Sequence, residues 1–303
     1  MRDGTLQPAP MQKWLASTVE LSVSAALRPW HRSVVEGCQD HPVGEDDVAA
    51  MWETNAAAWV ELSRAGYDVY RDLVNTPAFL AMLPDVAGLV GIDLGCGEGH
   101  NTRLVRDRGA RVVGIDIIPT FVRAARSEEA ETSGQICYLL ASGLQVPVRD
   151  ASVDFAVGFM SFMDMADPPQ ALQEAQRVLR PGGFLQFSIL HPAMTVPVRR
   201  WVNDETSGER IALAIGGYFE EGPLEETWSF GAAPEQLRRK HQPFRVRYAR
   251  KTLSGWLNDV VAAGLILEAF YEPHADEATA EAHPEVADTR IAPFSLIVRA
   301  RRP

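Results

Sequence analysis

An α/β fold built on a doubly wound, mostly parallel sheet is what this sequence predicts, and three observations carry that reading. A short apolar run at 89–92 leads into a glycine-rich turn, Asp93-Leu94-Gly95-Cys96-Gly97-Glu98-Gly99. A helical stretch follows, and a second apolar run, 112–115, ends on Asp116, twenty-one residues after Gly95. Strand-like and helix-like stretches then keep alternating to about residue 190, as they do when parallel strands are joined by helical crossovers.

The first turn defines the kind of ligand. Glycine tolerates left-handed dihedrals and lets a ligand lie against the backbone, and an acid at the tip of the second strand is placed to accept hydrogen bonds from a ribose. A dinucleotide fingerprint reads G-x-G-x-x-G; the pattern here is D-x-G-x-G-x-G, with a carboxylate ahead of the first glycine. That carboxylate would repel a pyrophosphate and suits a cofactor carrying an ammonium group.

The stretch from Asp93 to Gly99 resembles the first motif of class I S-adenosylmethionine (SAM) dependent methyltransferases, small-molecule enzymes of the type 11 kind. V-D-F-A-V at 153–157 and V-L-R-P-G-G-F-L at 178–185 resemble the later part of the same family. The resemblance covers about 89–190. It implies a Rossmann-like seven-stranded sheet with its last strand antiparallel, and SAM as cofactor. It directs Asp93 to the amino-acid end, Gly95, Cys96 and Gly97 to a close backbone surface, Asp116 to the ribose and Ile117 to adenine, with Phe159 at the end of the fourth strand. Related enzymes hold the adenine amine with an aspartate-small pair after the third strand. Ala141-Ser142-Gly143 lacks that acid, so Ser142 or a backbone group beside Gly143 must stand in.

From the N-terminus, residues 1–10 read as disordered. Leu15, Val19, Val23, Ala26 and Leu27 recur at helical spacing, giving an amphipathic helix over 11–30 stopped at Pro29. Packing on the core, covering the site and meeting a second subunit are all open to it. After a loop at 31–44, a helix over 45–64 carries Val48, Met51, Trp52, Trp59 and Leu62. Thr76-Pro77 offers a capping hydroxyl and a proline for a helix to about 82. In related enzymes such helices cover the cofactor, so Trp52, Tyr67 and Tyr70 are candidate pocket residues. Strands are expected at 89–92, 112–115, 135–140, 153–159 and 184–190, with helices at 101–108, 119–131 and 168–179 between them.

Residues 192–250 break this alternation and hold Trp201, Tyr218, Phe219, Trp228, Phe230 and Phe244. Long insertions of this kind tend to be functional, so the segment reads as a cap, with Tyr218 and Trp228 toward the acceptor. Thr252 caps a further helix closed by Gly264, and strands at 265–271 and 294–300 complete the sheet. His274, with Glu272 on the edge of these last strands, is a candidate acceptor contact, and an acidic loop, 275–289, follows. The expected divisions are 1–84, a helical extension or lid; 85–191, the cofactor core; 192–250, the cap; and 251–303, the rest of the sheet.

The 303 residues are 46% hydrophobic, enough for a substantial core, and carry a formal charge of −11, which weighs against a nucleic-acid groove. The cluster of basic residues at 238–240, 245, 247 and 250 reads as a solvated face. Cys38, Cys96 and Cys137 give neither a disulfide framework nor metal spacing, so a reducing cytoplasm is expected. No run of about eighteen apolar residues marks a membrane helix, and no signal core is visible. The expected partner is a small molecule, with no nucleic acid and no membrane, and a homodimer is left open.

A sulfonium methyl is already activated, so the protein mainly aligns the nucleophile. A neutral amine loses its proton after attack, whereas a hydroxyl or carbon acid needs a base. His191, just past strand five, and Asp164, after strand four, are the catalytic candidates. No metal is expected, because Asp164 and Asp167 are too few for an oxygen cage. The acceptor atom, N, O or C, stays open. A SAM-binding regulatory or scaffold protein is disfavoured by the aromatic insertion, and a nicotinamide oxidoreductase by the D-x-G-x-G-x-G spacing.

Overall fold

The computed structural model describes residues 44–131 and 136–303. The expected helix at 11–30, Cys38, His31 and His41 lie outside the described residues. Val43–Pro303 form one compact unit.

Helix α1 (Glu45–Arg64) opens the described chain, with Glu45, Asp46 and Asp47 in its first turn, where the helix dipole favours acids. A π-helical segment, Arg71–Asn75, runs straight into α2 (Thr76–Met82). Thr76 therefore does not cap a helix start: the backbone is already helical, and its hydroxyl donates to Asn101 Oδ1 at 3.0 Å instead. Next come β1 (Val90–Leu94), α3 (His100–Arg106), β2 (Arg111–Asp116), α4 (Pro119–Glu131), β3 (Cys137–Leu140), β4 (Val153–Phe159), α5 (Pro168–Val178) and β5 (Leu179–Leu190). Asp167 caps α5 by accepting from Gln170 N. Strand β5 begins five residues before the expected start, because Leu179 pairs with Val153 and the Pro-Gly-Gly segment is absorbed as a register shift before Phe184 meets Phe155.

The insertion is not irregular. It forms two hairpins, β6 (Val198–Asn203) with β7 (Arg210–Gly216), and β8 (Gly222–Trp228) with β9 (Phe244–Arg250), the latter interrupted by α6 (Glu235–Lys240). The basic cluster is largely paired: Arg245 and Arg247 share Glu225, Lys240 meets Glu61 and Arg250 meets Glu220. Then follow α7 (Leu253–Ala262), capped by Thr252, β10 (Ile266–Tyr271), α8 (Glu277–Ala282), a 3₁₀ segment Pro284–Arg290 and β11 (Ser295–Arg301). The acidic loop is thus folded, with Asp276 capping α8.

The main sheet has seven strands in the order β10-β11-β5-β4-β1-β2-β3. Strands β1 to β5 are parallel where they pair, and β11 runs antiparallel to both β5 and β10. Strands β1 and β4 are buried at almost every position, as strands covered on both faces must be. Chain order reverses between β1 and β4, which opens a crevice at their carboxyl ends. Asp93 sits there, level with Gly114 on one side and Val157 on the other. Across the crevice, Trp59 of α1 packs on Trp228, Phe230 and Phe244 with centroids 5.6, 5.0 and 5.3 Å away, fastening the second hairpin to the helix. Among the described residues no helix is long and apolar enough to cross a membrane.

Candidate functional site

A cavity of about 1460 Å³ opens at this crevice, bounded by the strand tips, α1, both hairpins and the segment from α8 to β11. The glycine turn floors one half. Gly95 has φ +74°, and a Cβ there would come 2.5 Å from Ser161 Cβ. Gly97, at φ +56°, has open space where a Cβ would point, so a ligand can reach the backbone.

Asp93 is 1% exposed. Thr102 donates to its Oδ2 at 2.6 Å, while Oδ1 is buried with no hydrogen-bond partner among the described residues. Burial raises this carboxyl to about 7, against the pull of the Thr102 bond. Such an unfilled acceptor on a cavity wall suits an ammonium group. Asp116 is fixed by the turn it faces: Oδ2 accepts from Gly97 N at 2.8 Å and Oδ1 from Ile118 N at 2.9 Å. Burial raises it to about 6. Each oxygen keeps a lone pair for a ribose hydroxyl. Ile117, Gly143 and Phe159 line the same cavity, as does Cys96, whose thiol is pushed up by burial. The residues present therefore fit SAM at its amino-acid and ribose parts.

The other half is aromatic and thioether-rich, with Trp59, Tyr67, Trp228, Phe230, Met160 and Met163 on its wall. Trp228 Nε1 donates to the buried Tyr248 hydroxyl at 3.0 Å. Met160 holds φ +52°, a strained conformation for a non-glycine residue, and its N–H is tied to Ser188. Asp164 lines the same cavity, within electrostatic reach of Asp116 and of Tyr248. The Asp116 charge acts on Asp164, and the Asp164 charge acts on the Tyr248 hydroxyl, raising each. Burial is the larger cause for Asp164 and lifts its carboxyl well above the usual range; Oδ1 has no hydrogen-bond partner among the described residues. On the far side, Tyr70 stacks on Phe294 and donates to Asp288 at 2.9 Å, and Arg210 reaches the same carboxylate from β7.

Four expected site residues are not on the cavity wall. His191 follows Leu190, which does line the cavity, and alternation along the strand turns the histidine away. Its Nδ1 accepts from Ala193 N at 3.1 Å and Nε2 lies 2.9 Å from Glu272 Oε1, contacts that tie it to the chain leaving β5 and to the end of β10. Tyr218 accepts from Leu253 N at 2.9 Å and anchors the insertion to α7. His274 is exposed, with Nδ1 near Glu272 O. Ser142 faces Glu45, to which it donates. We expect His191→Ala to change turnover by less than about twofold and to lower stability by about 1–2 kcal/mol, measured by initial rates and denaturant unfolding.

The sequence reading passed over Glu45, Arg210, Tyr248 and Asp288. Only Glu45 left a local signal: with Val48, Trp52 and Trp59 it follows helical spacing on one face of α1, and all four line the cavity.

Comparison with known proteins agrees with this geometry. Residues 92–187 match the family described as "Methyltransferase domain". An S-adenosylmethionine dependent methyltransferase from Mesorhizobium loti is 30% identical, with the alignment covering 75% of this chain and 96% of that one at a TM-score of 0.62. A malonyl-[acyl-carrier protein] O-methyltransferase from Serratia marcescens is 39% identical over 99 residues, 33% of this chain but only 37% of the relative's length. The O-methyltransferase resE of Aspergillus sclerotiorum is 34% identical over 113 residues, 36% of this chain and 43% of the relative. The crevice at the β1–β4 reversal, the acid-led glycine turn and the match along nearly all of the Mesorhizobium loti protein have one explanation: this chain belongs to the SAM-dependent methyltransferases.

Proposed function

We propose that the chain methylates a hydroxyl oxygen of a small, flat, largely apolar acceptor held in the aromatic half of the cavity. The observation that carries this is Asp164, whose buried Oδ1 has no hydrogen-bond partner among the described residues, on a cavity wall shared with Asp116 and Tyr248. A hydroxyl needs a base as it attacks, and a carboxyl raised by burial is a stronger base than an ordinary one. SAM, when bound, supplies an activated methyl group. The chain's own part is to hold the ammonium at Asp93 and the ribose at Asp116, and to press the acceptor ring against Trp228 and Tyr67. Asp164 would take the proton of the attacking hydroxyl. The two relatives named as O-methyltransferases support oxygen as the acceptor atom.

Incubation with methyl-labelled SAM and a mixed pool of phenols, carboxylic acids and amines tests the reading through the masses of labelled products. Methyl ethers are expected. Labelled amines alone would contradict it, and binding without transfer to any acceptor would favour the scaffold reading. We also expect full activity after exhaustive chelation. Asp167, the second acid after β4, caps α5 and does not line the cavity with Asp164. Loss with chelator and recovery with Mg²⁺ would contradict that. The same reading has the protein work in the cytoplasm, where Cys96 and Cys137 stay reduced, without nucleic-acid or membrane partners.

A further inference from the structure

We infer that Glu45, at the start of α1, reads the exocyclic amine of the cofactor's adenine and replaces the acid missing after β3. The inference rests on the cofactor lying over the glycine turn. With the ribose at Asp116, the base one glycosidic bond further on falls beside residues 141–144, because Ala141 N donates to Asp116 O at 3.0 Å and holds that segment against the second strand tip. Ile117, Leu144 and Val48 give this part of the cavity apolar walls for a flat base. An adenine edge presents an amine donor, and among the described residues the carboxylate that hydrogen-bonds to this segment's Ser142 is Glu45. Ser142 Oγ accepts from Leu144 N at 2.9 Å and donates to Glu45 Oε1, which leaves Oε2 to accept from the amine.

The placement has a consequence for α1. Glu45 and Trp59 lie fourteen residues apart on one face, about 21 Å of helix. One rigid element therefore touches the adenine end of the cofactor and walls the acceptor half. Filling the adenine site fixes the helix against which the acceptor must pack.

The test uses the full chain and two ligands, S-adenosylhomocysteine and its analogue in which the adenine amine is replaced by a carbonyl oxygen. Calorimetry should show the wild type preferring the adenine form by about tenfold or more, since a carboxylate cannot accept from a carbonyl. Glu45→Gln, whose amide donates, should bring the ratio near one by weakening the first ligand and strengthening the second. Asp116→Ala should weaken both alike and leave the ratio unchanged. If Asp116→Ala weakens both while Glu45→Gln keeps the wild-type ratio, Glu45 does not read the base and the cofactor placement stands. If Asp116→Ala affects neither, the placement itself fails and this inference with it. Should Glu45→Gln unfold at a lower temperature, Ser142→Ala breaks the same contact yet keeps the carboxylate, and it must retain the wild-type ratio for the inference to hold.

Discussion

Asp93→Asn should weaken SAM binding by about ten- to a hundredfold and, in the same molecule, make the cofactor-free protein more stable at neutral pH. Both effects come from one buried oxygen. Folding takes this carboxyl from 3.8 to about 7, so between those values the folded state holds a proton that the unfolded chain has lost. Folding stability contributed by this group therefore falls as pH rises from about 4 to 7, and the loss is complete above that. Asparagine removes the loss while its carbonyl still accepts from Thr102. The variant should thus match the wild type near pH 4 and exceed it by about 1–3 kcal/mol at pH 8. Thermal unfolding across that range, without ligand, reads the difference directly. Binding shows the opposite side: in the wild type, SAM affinity should weaken as pH drops below about 7, because the ammonium needs the ionised carboxylate. Equal pH profiles for the two proteins would remove Asp93 from both roles.

Asp164→Asn should lower turnover by about 10²–10⁴ while SAM affinity stays within about twofold. Asparagine keeps the size and polarity of the side chain and cannot accept the proton. Burial and the nearby Asp116 hold the Asp164 carboxyl well above the usual range, so the wild-type rate should climb with pH beyond the point where an ordinary aspartate has ionised. The variant should lose that rise. Calorimetry for SAM and initial rates against pH, with the acceptor found from the labelled pool, separate the two quantities. A fall in SAM affinity with unchanged turnover would move Asp164 from the acceptor to the cofactor.

The sheet was readable because buried parallel strands are written as apolar runs, and the glycine turn because its acid and its spacing are local. Asp93, Gly95, Gly97 and Asp116 were found from a stretch of under thirty residues and line one cavity. His191 lies off the cavity wall, and strand parity is the reason. The end of β5 was placed well, but which face a residue takes depends on strand parity, and a shift of one residue exchanges Leu190 for His191 on the wall. Contacts between distant parts of the chain were the least legible. Tyr70 and Asp288 are 218 residues apart and Ser142 and Glu45 are 97 apart, and no local pattern joins such pairs. Tyr218 shows the converse: an aromatic in a cap reads as a ligand contact, yet its hydroxyl binds the backbone of α7.

The most direct test of the two-halved cavity is a crystal structure of the full chain with S-adenosylhomocysteine bound. The account predicts the amino group on Asp93 Oδ1, the ribose hydroxyls on Asp116, and the sulfur turned toward Asp164 and Trp228. A homocysteine end pointing away from Asp93, or a sulfur closed off from the aromatic half, would contradict it.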